Sequence, residues 1–315
     1  MRGDIQHYVP QLLLRNFCGE TPGRLFVFEK STSRVFPANT RNVGGERDFY
    51  EFQIAGVKLS VDPALTSLES AAAPVISKIV DSESLRGLST EDRATLSQFA
   101  AVQLVRTSHF RAQSRDLSKA IEAELRSRGL DPSTMEGYAP LDSESSKFLT
   151  AQALIGSDEL ASHIHSKDWV LFRAPSELPF WISDNPVSRQ NFVVPAGWGL
   201  ANPGVEIYLP LSAKLSLVFV CSTLRSGLLN LRSRQDAPHH GVTRLSESVA
   251  EARRFLAALE SGEPLDCDAE NVKNVNSMQV IFAERFVFSG VNDFSLAREM
   301  LETGRYRVGP RYRVF

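Results

Sequence analysis

The chain has 315 residues, 43% of them hydrophobic and 23% charged, with 35 Lys and Arg against 37 Asp and Glu. A formal net charge of −2 gives no global attraction to nucleic acid or to an anionic membrane, so binding of either kind would need a local patch. The length allows one large domain or two small ones.

Cys18, Cys221 and Cys267 are far apart and form no CxxC pair. Neither a disulfide framework nor a zinc site is indicated, and a reducing, cytoplasmic setting is expected. No segment approaches the roughly 20 apolar residues that span a bilayer, so a soluble protein without a membrane partner is expected.

In chain order, the first element is HYVPQLLLRNF, His7 to Phe17. A terminus this rich in apolar side chains is expected to join the core, where His7 and Arg15 would need partners. Arg24–Glu29 reads as a short buried strand after the turn Thr21-Pro22-Gly23, and Val35 to Asn39 can pair with it. Asp48 to Val57 (DFYEFQIAGV) is strand-like. Leu65, Leu68, Ala72, Val75, Ile76 and Ile79 follow helical spacing after Pro63 and share their segment with Glu69.

Ser89 and Asp92 resemble a capping box, opening a long central helix that runs to Arg128, with a break expected near Thr107–Ser108. Leu96, Phe99, Gln103, Arg106 and Phe110 fall on one face, so two polar groups interrupt an apolar stripe. Gly129 to Ser143 reads as a linker, though not as a domain boundary. A helix over Glu144 to His163 follows, then Trp169–Phe172 and Phe180–Ile182 as strands of one sheet. Ile207–Leu209 and Leu215–Cys221 are two more strands. A charged helix (Ser246 to Leu259), a helix from Ala269 to Arg285 and the strand FVFS complete the pattern. The expected class is α+β: a mixed, mostly antiparallel sheet packed with several helices, with the amino-terminal strands as candidates to join it.

Several residues are candidates for chemistry. His7 has an ordinary pKa close to neutrality and can exchange a proton, or it can be a packed histidine bonded to a carbonyl. Arg15 can hold an anion or clamp a carboxylate. A buried Arg106 must meet a carboxylate, a phosphate or a bound anion, and Glu69 and Asp184 are the protein partners at hand. His109 is read as surface or hinge. Asp184 and Asn185, in WISDNPV, sit just after a strand, where functional side chains are often held; Asp-Asn-Pro is also ordinary turn chemistry. Asn276 shares a helix face with Gln279 and needs partners there. In the tail, Arg305, Arg307, Arg311 and Arg313 alternate with Tyr306 and Tyr312. That pattern suits a strand pair touching phosphates and bases, or a charged edge that blocks aggregation.

No Walker loop, GxGxxG, GxSxG or HExxH motif occurs. His163/His165 and His239-His240 lack the i, i+4 spacing that puts two metal ligands on one helix face.

HYVPQLLLRNF, DFYEF at Asp48–Phe52, the segment around Leu68-Glu69 and FAAVQLVRTSHFR at Phe99–Arg111 come first in a longer series. WISDNPV at Trp181–Val187, LPLSAKLSLVF at Leu209–Phe219 and NSMQVIFAERFVFS at Asn276–Ser289 continue it. In this order they resemble the bacterial family called domain of unknown function 4238. The family brings organisation rather than a reaction. The resemblance implies one domain over residues 1–290, with 291–315 as a basic aromatic extension, and falls on the polar positions already named.

The functional expectation is a hydrolase-like enzyme acting on a phosphate-containing substrate such as a nucleotide or nucleic acid. His7, Asp184 and Glu69 would be catalytic, with the two carboxylates orienting His7 or binding a divalent metal. Arg15, Gln103, Arg106, Asn185 and Asn276 would bind substrate. The alternative is a module that binds an anionic ligand or a partner protein without catalysis. Both expectations require these scattered groups to converge on one cleft.

Overall fold

The computed structural model describes residues 5–54, 57–139, 141–191, 199–235, 243–302, 304 and 306–309. β1 (Ile5–His7) leads through Pro10 into the short helix α1 (Gln11–Leu14), which tightens into a 3-10 turn ending at Phe17. β2 (Arg24–Glu29) and β3 (Arg34–Asn39) form a hairpin, β4 (Gly45–Arg47) returns to pair with β1, and β5 (Glu51–Ile54) pairs with β6 (Val57–Ser60). Five helices follow: α2 (Asp62–Ser82), α3 (Thr90–Val105), α4 (Ser108–Ser127), α5 (Ser143–Ile155) and α6 (Ser157–His165). Then come the strands β7 (Asp168–Arg173), β8 (Ile182–Ser183), β9 (Ser188–Asn191), β10 (Val205–Pro210) and β11 (Leu215–Val220). Helices α7 (Ser222–Gln235) and α8 (Thr243–Ser261), strand β12 (Leu265–Asp266), helix α9 (Ala269–Phe282), strand β13 (Phe286–Ser289) and helix α10 (Ser295–Glu302) complete the described elements.

The larger sheet has the order β12-β7-β11-β10-β9 and is antiparallel except where β12 runs parallel to β7. The second is β3-β2-β13-β8, antiparallel throughout. The class is α+β. β13 pairs with β2 through Phe286↔Glu29 to Ser289↔Phe26, so the amino-terminal strands do join a late one. β7 and β8, expected in one sheet, lie in different sheets. Phe180 is not in β8, and its N–H bonds instead to the Ala213 carbonyl.

The expected long central helix is two helices of 16 and 20 residues, parted at Arg106 and Thr107. The capping box closes the start of α3: Ser89 Oγ accepts from Asp92 N (3.0 Å), and Asp92 Oδ2 accepts from Ser89 N (2.9 Å). At the break, Thr107 turns to extended backbone and its hydroxyl accepts from the N–H of Phe110. An N-cap oxygen satisfies donors that a helix start leaves open, so Thr107 begins α4 in a new direction. The helix expected over Glu144 to His163 is likewise divided, at Gly156.

One apolar cluster runs from Tyr8 and Leu13 through Leu96, Phe99, Leu171 and Phe219 to Phe288. A fully buried side chain of this size contributes about 1.5–3 kcal/mol. A second, smaller cluster joins Phe28, Trp181 and Val287 to Phe294, Ala297 and Leu301 of the carboxyl-terminal segment. Part of the stretch read as an extension is therefore helix α10 packed on the sheet. Residues 306–308 form a turn and bend rather than a strand, and Arg307 Nη1 donates to the carbonyls of Lys30 and Ser31. Arg305, Arg311, Tyr312 and Arg313 lie outside the described residues.

Candidate functional site

The polar residues named from the sequence fall into two buried knots and one surface row. The first knot surrounds Arg106, which is 1% exposed. Its Nε donates to Tyr50 Oη (2.9 Å), Nη1 to Glu69 Oε1 (2.8 Å) and Nη2 to the His7 carbonyl (2.6 Å). With its amide turned to satisfy both neighbours, Gln103 donates to the Tyr8 carbonyl (3.2 Å) and accepts from Arg106 Nη1 (2.9 Å). Each nitrogen of the guanidinium is thus engaged inside the protein, with four of its five N–H groups bonded, and at 1% exposure little of it is offered to a substrate anion. Gln103 and Arg106 are brought together with Glu69 as expected, but as a clamp between α2, α3 and the amino-terminal strand.

The Gly44-Gly45 pair makes that strand possible. Gly44 has φ +67°, and a Cβ on Gly45 would stand 2.8 Å from the Gln6 carbonyl oxygen and 3.1 Å from His7 Cα. Glycine alone takes both the left-handed turn and the close approach without strain.

The second knot holds the Asp-Asn-Pro loop. Asp184, 1% exposed, accepts three main-chain N–H bonds, from Glu284 (2.7 Å), Arg285 (2.7 Å) and Phe286 (2.8 Å). Burial pushes its carboxyl up to about 6, against the pull of those donors and of Lys30. Asn185 donates to the Phe282 carbonyl and accepts from Thr107 Oγ1. Asn276 accepts from the Trp181 N–H (2.8 Å) and donates to the Pro179 carbonyl (3.0 Å). Gln279, missed as a site residue, binds Ser183 and the Pro186 carbonyl. These groups hold the β8–β9 connection against α9 and the turn after it. Buried amides and carboxylates must be bonded somewhere, and here backbone takes most of their capacity. Asp184 therefore does not orient His7, and its oxygens are not open to a metal. Among the described residues, no group of three or more His, Cys, Asp and Glu is placed to hold a metal ion. His109, expected at the surface or a hinge, is 4% exposed, and its Nδ1 lies 3.1 Å from Glu284 Oε2.

The surface row is His7, Gln11 and Arg15. Arg15 Nη2 donates to Gln11 Oε1 (3.2 Å), so the Gln11 amide nitrogen faces His7 Nε2 at 3.5 Å. His7 also bonds to the Arg41 backbone. Burial lowers the His7 pKa, with Arg41, Glu69 and Asp62 opposing. The bonding assigns an imidazole that is neutral, with Nε2 as acceptor. A folded pKa below the unfolded one means that the contribution of His7 to stability is full above about 6.5 and is lost as pH falls through the folded value. In an NMR titration the His7 ring is expected to protonate below the ordinary histidine value of 6.5. A midpoint at or above 6.5 would contradict this.

A further group was not named from the sequence. Ser108, Arg111 and Arg115 occupy one face at the start of α4, and with Glu46, Arg47, Asp48, Phe49 and Lys147 they line a hollow of about 180 Å³. Arg111 is 7% exposed. Its Nε donates to Thr150 Oγ1 (3.3 Å), its Nη2 to the Phe49 carbonyl (2.6 Å), and its guanidinium lies 3.5 Å from the Phe49 ring centroid. No carboxylate pairs with it among the described residues, and Nη1 has no hydrogen-bond partner there. Burial lowers it to about 10, with Tyr50, Glu46 and Glu144 opposing and Arg115 pushing the same way as burial. The i, i+3, i+7 spacing of Ser108, Arg111 and Arg115 was visible in the sequence. What the sequence did not show is that Arg106 would take the available carboxylate and leave Arg111 without one.

Fold and site together describe an α+β protein with a buried arginine clamp beside a cation-lined hollow. The family model described as Protein of unknown function (DUF4238) matches residues 5–293, and the chain belongs to that family. No curated protein and no solved structure matches it. No helix among the described residues is long and apolar enough to cross a membrane.

Proposed function

We propose that the chain binds a small phosphate-bearing anion in the hollow at the start of α4. The observation that carries this is Arg111, a buried cation with no carboxylate bonded to it among the described residues, Glu46 and Glu144 acting on it only from farther off. A buried charge without a bonded counterion is costly, and an anion in the hollow would offset part of that cost through charge-assisted bonds. The lining holds four cations, Arg47, Arg111, Arg115 and Lys147, against two carboxylates, Glu46 and Asp48; with Glu144 paired to Lys147 at 3.0 Å the local balance is still positive and favours an anion. Ser108, in the first turn of α4, adds the positive end of a helix. The volume equals about six waters at roughly 30 Å³ each, which suits a phosphate with a small substituent better than a nucleic-acid strand.

The test is calorimetric titration with inorganic pyrophosphate and with adenosine monophosphate. Saturable binding is expected, weaker at high salt, with Arg111→Gln reducing affinity at least about tenfold. Absence of heat at millimolar ligand, or equal affinity in the variant, would overturn the proposal.

A hydrolase-like enzyme acting on a phosphate-containing substrate is the second reading. It is supported by His7, whose neutral imidazole beside Glu69 suits a general base. It requires turnover of a phosphate ester that His7→Ala abolishes while the fold persists.

A further inference from the structure

A second cavity, of about 210 Å³, lies on the other side of the α3–α4 junction. Leu104, Val105, Phe110, Leu160, Val187 and Phe282 give it an apolar wall built from α3, α4, α6, α9 and the loop before β9. Its polar groups are His109, Gln113, Asn185 and Arg189, and Gln113 is engaged elsewhere. The Asn185 amide is occupied by Thr107 and the Phe282 carbonyl, and His109 faces Glu284. Arg189, on β9, lines the same space, and its side chain makes no hydrogen bond or ion pair with any described residue. An apolar cavity with one unspent cation at its wall selects a ligand with an apolar body and one negative charge. A dry cavity of about 150 Å³ holds a benzene ring, so this one has room for a ring and a carboxylate.

We propose that this cavity is a site for a small aromatic monocarboxylate, with the ring among Leu104, Phe110, Leu160 and Phe282 and the carboxylate on Arg189. It is separate from the cation-lined hollow in lining and in ligand class. The ring is recognised by burial. The acid is recognised by the fork of the guanidinium, which an alcohol of the same shape cannot match.

The experiment is titration of the full chain with phenylacetate and with 2-phenylethanol, followed by calorimetry. Phenylacetate is expected to bind saturably and at least about tenfold more tightly than the alcohol. Arg189→Gln is expected to bring the two ligands level, and Leu160→Trp, which fills the cavity, to abolish both. Arg111→Gln should leave phenylacetate binding unchanged, so that failure here and failure of the phosphate site are read separately. Because Leu160→Trp can perturb packing, Arg189→Gln carries the decision, with its fold checked by thermal melting. No phenylacetate binding at millimolar concentration, equal binding of acid and alcohol to the unaltered chain, or an undiminished preference in Arg189→Gln would overturn the proposal.

Discussion

Arg106→Met should destabilise the protein by about 3–5 kcal/mol, the range for removing one partner of a buried ionic network. Methionine matches the length of the stem but leaves the Tyr50 hydroxyl, the His7 carbonyl and the Gln103 amide short of the donor that joined them. Glu69 matters less to the loss, since its side chain is 26% exposed and water can solvate it. Arg106→Lys should rescue little, because one ammonium cannot reach three directions set by a planar fork. Urea denaturation of the three proteins measures this. A loss under about 1 kcal/mol in Arg106→Met would mean that the bonds are not a clamp.

Asp184 should give the stability curve a downward slope on the acid side of neutrality. Its carboxyl is pushed up from 3.8 to about 6 by burial, so in that window the folded chain holds a proton that the unfolded chain has released. Stability then falls as pH rises from about 4 to about 6, by about 3 kcal/mol for a shift of about two units, and levels off above. Asp184→Asn should abolish this slope. It should also cost about 1–3 kcal/mol at neutral pH, because an amide offers one acceptor oxygen to three main-chain donors and turns an N–H toward the rest. Denaturation from pH 4 to pH 7, with 13C NMR of the carboxyl as a direct check, tests both parts. Parallel slopes in the two proteins would show that Asp184 does not titrate there.

Much of this architecture is legible in the residues because the signals are local. The Ser89–Asp92 box marked the start of α3, the spacing of Leu65 to Ile79 marked α2, and the runs at Ile207–Leu209 and Leu215–Cys221 marked β10 and β11. Sheet membership was less legible. Trp169–Phe172 and Phe180–Ile182 are close in the chain, yet β8 pairs with β13, whose partner β2 comes from the opposite end. The polar positions were legible as buried, since Arg106, Gln103, Asp184 and Asn276 interrupt apolar runs. Their use was not, because a residue type and its spacing do not reveal whether main chain or solvent meets it. Asp184 met three N–H groups about a hundred residues away in sequence, whereas Arg111, five positions beyond Arg106, met no carboxylate. The cation with no carboxylate bonded to it, rather than the most deeply bonded one, marks the candidate binding site.

The central claim is that the anion goes to Arg111 and not to the clamp. The most direct measurement is a 15N-resolved NMR titration with inorganic pyrophosphate. Saturable shifts centred on Ser108, Arg111, Arg115 and Lys147 are expected, with the Arg106 and Asp184 surroundings unmoved. Shifts centred on Arg106 or on the His7–Arg15 row, or no shifts at all, would contradict it.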